Sequence, residues 1–132
     1  MATFKSLDEA REYFTADRFA TSNGAYIDEL DEEHSLCSLL ITESHRNANG
    51  GVMGGVIFTL ADFAFAVLSN HLHKPTVAQQ TSVNFLCAPK GTRLIAKATC
   101  RKNGRSTMIV NVDISDDTGR DVALFVATGF KL

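Results

Sequence analysis

One stretch constrains this chain more than any other: His45 to Asn70, HRNANGGVMGGVIFTLADFAFAVLSN. It opens on a glycine-rich turn, GGVMGG, and then runs apolar to Leu68 with a single charge, Asp62. Apolar residues surround every face of the helix this predicts, so the helix is expected to be buried all round rather than to lie on the surface. A carboxylate in such a helix is costly unless it is paired, protonated or wetted by a cleft. Asp62 is therefore the foremost functional candidate. The competing reading is a carboxylate that only hydrogen-bonds backbone at a helix contact.

Gly50 to Leu68 is nearly long enough to cross a bilayer, and Gly51 and Gly55 make a GxxxG. Four glycines at its start and a mid-span Asp weaken that reading, and no second span or basic flank supports it. The N-terminal MATFKSLDEAREYF is charged and has no apolar core, so no secretory signal is expected. The expectation is a buried core helix in a soluble, cytoplasmic protein with no membrane partner.

At 132 residues the chain is long enough for one domain, 1–132, with a real core. Its 13 basic and 15 acidic residues nearly balance, which implies no bulk attraction to nucleic acid. The charge is unevenly spread: residues 1–85 hold 5 Lys/Arg and 11 Asp/Glu, and residues 86–132 hold 8 and 4. A basic C-terminal part suits an anionic ligand, although solvated strand faces are the commoner cause. Cys37, Cys87 and Cys100 lie inside apolar strand patterns without metal-ligand spacing, as reduced core thiols do. No metal and no redox cofactor is implied.

In chain order, Ser6 to Phe14 reads as a helix opened by a Ser6/Glu9 capping box, with Phe19 and Ala20 packed behind it. Tyr26–Leu30 and Ser35–Ile41 read as short strands around a solvated acidic turn. After the central helix, Pro75 ends helical structure and Thr76–Leu86 reads as a strand. Leu94, Ala96, Ala98 and Cys100 alternate on the next, and Met108, Val110, Val112 and Ile114 on the one after. Asn103-Gly104 between them predicts a type I′ hairpin. Val122–Phe130 closes the sheet. The fold class is α+β, with an antiparallel sheet curled around one long buried helix.

The pattern HRNxxGGVMGGxxFTLADxAFA, followed by NFLxxPKG and the NGR hairpin, resembles the hotdog-fold acyl-CoA thioesterases of the PaaI-like group over nearly the whole chain. The resemblance implies a hydrolase assembled as a homodimer or a dimer-of-dimers tetramer, with paired central helices building two sites across the interface. By position it makes Asp62 the catalytic carboxylate, Asn47 the polar residue near the thioester, and Gly54 the glycine whose amide faces the carbonyl. The chain departs from the family at one place: the usual His-Gly-Gly is Met53-Gly54-Gly55, and a thioether does not replace an imidazole.

The residues support the same chemistry directly. Unpaired amides at a helix N-terminus, with glycines admitting substrate, form an oxyanion hole, and Gly54 and Gly55 occupy that place. Asp62 lies eight residues further on, about 12 Å along the axis at 1.5 Å per residue, too far to serve the same carbonyl. Asp62 is thus expected to act on substrate held by the partner's Gly54, as general base or as nucleophile. Asn47 is read either as a hydrogen-bonding group for water or substrate, or as a turn residue. His71 and His73 read as helix-end or surface groups. Coenzyme A carries phosphates, and Lys90, Arg93, Arg101, Lys102 and Arg105 are basic residues near one another in the chain, Arg105 being the best handle. The alternatives are a non-catalytic acyl-CoA-binding module, favoured by the missing imidazole, a structural interaction domain, and a hotdog dehydratase.

Overall fold

The computed structural model describes residues 2–132. In chain order they form α1 (Leu7–Phe14), α2 (Arg18–Ser22), β1 (Tyr26–Leu30), β2 (His34–Leu40), a 3-10 turn (Glu43–His45), α3 (Gly54–Leu72), β3 (Thr76–Phe85), β4 (Arg93–Asn103), β5 (Thr107–Asp116) and β6 (Asp121–Lys131). The six strands make one antiparallel sheet in the order β1-β2-β4-β5-β6-β3. α3 lies across one face of it, closest to β4, β2 and β5.

Period-2 patterning places the sheet's inner face. Ala96 and Ala98 of β4 stand opposite Ile114 and Val112 of β5, Leu94 and Val110 extend the two rows, and all six are buried. Alanines on β4 and at Ala61 and Ala64 of α3 let the helix approach the sheet closely, while Leu60, Phe65 and Leu68 fill the remaining space. Each of those larger side chains stabilises the fold by about 1.5–3 kcal/mol relative to exposure. Ser35 is buried without penalty because its hydroxyl donates to the Ala64 carbonyl, 2.8 Å away, pinning β2 to α3. A Cβ on Gly129 would stand 2.9 Å from Thr76 Cγ2 and 3.2 Å from Phe65 Cε1, so glycine makes room there for the core phenyl ring.

Several expectations are corrected. α3 is not sealed on every face: Gly55 is exposed, and Val56, Phe58, Thr59, Asp62, Ala66 and Asn70 are half-buried, a stripe that the sheet leaves uncovered. β3 does not lie beside β4; it crosses to the far edge and pairs with β6, because β2 has taken the place next to β4. The Asn103-Gly104 hairpin is not type I′, which needs positive φ at both residues. Among the described residues only Gly24, Gly50 and Gly119 have positive φ. Asn103 instead stays in β4 opposite Met108, and Gly104 donates its N–H to the Thr107 carbonyl at 2.8 Å.

Smaller corrections concern packing. Ser6 Oγ accepts the Glu9 N–H at 3.1 Å, but the Glu9 carboxylate returns to Lys5 N–H rather than to Ser6. Phe19 is 72% exposed while Ala20 is buried. Of the three free thiols only Cys37 is in the core, and desolvation pushes its pKa up. His71 is not a surface group: it is buried, stacks on Phe4 and accepts the Phe4 N–H on Nδ1.

Candidate active site

The loop before α3 is fixed by His45. Its buried imidazole accepts the Thr42 N–H on Nδ1 at 3.0 Å and donates from Nε2 to the Asn23 carbonyl at 2.9 Å. Its own carbonyl accepts the Met53 N–H at 2.9 Å. Both ring nitrogens are spent on structure, so His45 does not stand in for the imidazole missing at Met53. Asn47 performs its turn role: Oδ1 accepts the N–H groups of Asn49 and Gly51 at 3.0 and 3.2 Å. Its Nδ2 donates to none of the described residues and remains free for a ligand.

At the start of α3 the Met53 side chain makes no capping hydrogen bond, and neither Gly54 nor Gly55 gives its N–H to an acceptor among the described residues. These are the orphan donors of a helix N-terminus, backed by the helix dipole. A Cβ on Gly54 would sit 3.2 Å from Phe85 Cζ, so the ring packs closely over this glycine and would have to shift for a larger residue.

Two recesses flank this point. One, of about 400 Å³, is chiefly apolar and lined by Phe19, Leu39, Met53, Val56 and Phe58, with Gly55 on its wall. The other, of about 290 Å³, runs from Gly54 and Ile57 to Phe85, Cys87 and Pro89. A further concavity, about 600 Å³, lies around Leu36, Arg93 and Ile95. It occupies the outer face of the sheet, away from the helix amides, and we give it no part in the chemistry.

Asp62 is half-buried on the uncovered stripe of α3. It accepts no hydrogen bond from a described residue, and its oxygens keep contact with solvent. Burial raises its pKa above the usual carboxylate value, and the negative charge of Asp17 pushes the same way. A basic carboxylate on an open helix face is equipped to take a proton from water or to attack an electrophile. It remains eight residues from Gly54, about 12 Å along the helix.

The basic residues do not form one cluster. Lys90 is exposed in the β3–β4 connection, just beyond the second recess. Arg101, Lys102 and Arg105 lie at the opposite end of β4, an 11-residue strand, about 33 Å long at 3.3 Å per residue. Proximity in sequence misled here because an extended strand separates what it connects. Three residues of the neighbourhood had no role assigned from sequence: Phe85 against Gly54, Asp17 beside Asp62, and Asp116, which binds the Lys90 segment. Phe85 lies in the NFLxxPKG motif and was open to assignment, whereas the other two meet their partners only through the fold.

A long helix laid on an antiparallel sheet, with free glycine amides at its start and a carboxylate on its open face, defines a hotdog-type hydrolase. The Thioesterase superfamily matches residues 49–123, and this chain belongs to it as a thioester hydrolase. It is 30% identical over 122 residues to the acyl-coenzyme A thioesterase PaaI of Escherichia coli K12, covering 92% of this chain and 87% of that one. The solved structure of the E. coli PaaI protein from the phenylacetic acid degradation operon superposes with a TM-score of 0.85 at 26% identity, covering 96% of each chain. A hypothetical thioesterase of Streptococcus pneumoniae, solved with coenzyme A, gives 0.81 at 29% identity, covering 89% of this chain and 94% of that one.

Proposed function

We propose that this protein hydrolyses acyl-coenzyme A thioesters in the cytoplasm, as a homodimer whose two sites are each built from both chains. The observation that carries the reading is the pair of unclaimed amides at Gly54 and Gly55, set between an apolar recess and the Lys90 segment. That layout suits a substrate whose acyl group enters the recess beside Met53 and whose pantetheine arm leaves past Phe85 toward Lys90. The likeness to a coenzyme A-bound thioesterase supports the same substrate class.

Dimerisation is argued from β3. Its ten residues, TVAQQTSVNF, contain no charge and no proline, most are exposed, and one edge carries no strand. An unguarded edge of that length is a template for another chain. Antiparallel pairing with a copy of itself turns the chains end for end, bringing Asp62 toward the partner's Gly54. The same turn carries Arg105 toward the Lys90 end of the other chain, where it would meet the nucleotide phosphates. A dimer of such dimers is a compatible higher assembly.

In the composite site the thioester carbonyl accepts a hydrogen bond from the partner's Gly54 N–H, and the amide of Asn47 orients water or substrate. As base, Asp62 takes a proton from water while the hydroxide oxygen bonds to the carbonyl carbon; as nucleophile, its own oxygen forms that bond and water cleaves the resulting anhydride. In either course the tetrahedral oxyanion rests on the helix amides. The carbon–sulfur bond then breaks, the thiolate leaves with the electron pair, and a proton from Asp62 or solvent completes free coenzyme A. A panel of coenzyme A thioesters assayed for released thiol, with Asp62→Asn as control, tests the reading. Turnover in the wild type and its loss in the variant are expected; no released thiol from any member of the panel would overturn it.

A further inference from the structure

In the β3–β4 connection, residues 86–92, the first four residues wall the recess beside Gly54, and the following ones, from Lys90 on, are held by the β5–β6 turn. Asp116 ends β5 and is 1% exposed. Its Oδ2 accepts the N–H groups of Lys90 at 2.7 Å and Gly91 at 2.9 Å. Its Oδ1 accepts the N–H groups of Thr118 and Arg120 and the Thr118 hydroxyl, which closes the turn on itself. Asp117 continues the series, accepting the N–H groups of Thr92 at 2.8 Å and Arg93 at 3.2 Å.

Four consecutive amides, 90 to 93, thus all point at two adjacent carboxylates. The contact is close enough that a Cβ on Gly91 would fall 1.8 Å from Asp117 Oδ1. Further ties hold the start of the loop: Arg120 Nε donates to Cys87 Sγ at 3.1 Å, and Leu86 N–H to the Val122 carbonyl at 2.8 Å. The Thr118 hydroxyl and the amides keep the Asp116 carboxyl well below the usual carboxylate pKa, against the opposing effect of burial. A turn does not need a carboxylate that reaches some 25 residues back along the chain. What that reach secures is the backbone carrying Lys90.

We propose that Asp116, supported by Asp117, is a positioning residue for coenzyme A: it fixes the Lys90 backbone so that the exposed ammonium is presented to the nucleotide phosphates beside the Gly54 recess. The inference rests on the proposed substrate class. Charge-assisted bonds to amides are strong and directional, so replacing the anion loosens the segment without touching the reacting carbon.

The test is a double-mutant cycle of Asp116→Asn and Lys90→Ala, read as KM for a coenzyme A thioester, KM for the same acyl group on N-acetylcysteamine, and coenzyme A affinity by calorimetry. Asp116→Asn is expected to raise the coenzyme A thioester KM about tenfold and the N-acetylcysteamine KM less than about twofold, the signature of a lost remote contact. In a Lys90→Ala background the same substitution should add less than about twofold, because both changes act through one contact. Equal KM effects on both thioesters, or full additivity with Lys90→Ala, would overturn the proposal and leave Asp116 a purely structural group. If Asp116→Asn fails to fold, Asp117→Asn and Thr118→Val, which each remove part of the same cradle, are read by the same criteria. Calorimetry separates this inference from the proposed function. Coenzyme A binding weakened by the variants, in a wild type that releases no thiol, upholds the positioning role and overturns hydrolysis; a wild type that binds no coenzyme A overturns the positioning role.

Discussion

The two ends of α3 are built on opposite principles. At the C-terminal end nearly every polar group is claimed. Thr3 binds the His71 and Asn70 carbonyls through its N–H and hydroxyl, and Phe4 N–H reaches His71 Nδ1. The Asn70 side chain bridges the Ala66 carbonyl and the Thr76 N–H at 2.8 and 3.0 Å. At the N-terminal end Gly54 and Gly55 hold free amides, Met53 is 54% exposed, and an apolar recess stands open beside them. One end anchors the helix, and the other keeps the unpaired donors of a helix N-terminus. Asp62 lies between them on the uncovered stripe, where burial and the charge of Asp17 disfavour its ionised form.

The largest effect should come from Asp62. Asp62→Asn is expected to keep the fold and lower kcat at least about 100-fold, the scale of general-base catalysis. The folded carboxyl has a raised pKa, so the folded state takes up its proton at higher pH than the unfolded chain does. Its contribution to stability is therefore lost as pH rises through the folded pKa, and at pH 7 the ionised group is a burden. Asp62→Asn should melt higher than the wild type at pH 7, with the gain shrinking as pH falls toward about 4, near the ordinary Asp value. Near-normal turnover, or a lower melting point at pH 7, would mean that Asp62 is a structural group after all.

At the open end, Met53→His restores the side chain that the resemblance leads one to expect ahead of Gly54. One added hydrogen bond to the developing charge should raise kcat for at least one small acyl thioester by about tenfold. Lower activity with every substrate would show Met53 to be a working wall of the acyl recess, as its place between Phe19 and Phe58 allows.

Changes at the closed end should touch stability alone. Asn70→Ala orphans the Thr76 N–H and is expected to cost about 1–3 kcal/mol in denaturant unfolding while kcat/KM stays within about twofold. A large loss of activity with little loss of stability would break the division between the ends. His71 sharpens it by pH. Burial holds the folded imidazole below its ordinary pKa, with Glu32 and Asp31 opposing. The unfolded chain therefore binds the proton first, and this contribution to stability is full above about pH 6.5 and declines as pH falls below it. His71→Gln should flatten the stability curve below about pH 6.5; an unchanged slope would assign the pH dependence elsewhere.

Much of the arrangement was legible in the sequence because it rests on local periodicity and on one anomaly. Alternation at Met108, Val110, Val112 and Ile114 marked a sheet face, and a lone carboxylate in an apolar helix marked Asp62. What escaped was set by contacts distant in the chain. Strand order is not written in strand order along the chain, so the move of β3 to the edge, with its unguarded face, was invisible. Asp117-Thr118-Gly119 reads as an ordinary turn, and nothing local shows that the carboxylates of Asp116 and Asp117 bind amides 90 to 93. Lys90 and Arg105 were grouped by their numbers, and only the length of β4 parts them.

The central claim is that a working site needs the Gly54 amide of one chain and Asp62 of the other. Complementation tests it most directly. Asp62→Asn abolishes one half of the site; Gly54→Val abolishes the other, since its branched side chain would crowd Phe85 and cover the amide. Each variant alone should be inactive. After unfolding and refolding together, hybrid dimers contain one intact composite site, so activity should return to about a quarter of wild type, half of the dimers being hybrid with one of two sites working. Hybrid dimers demonstrated by native mass spectrometry, yet no more active than either parent, would contradict the shared site.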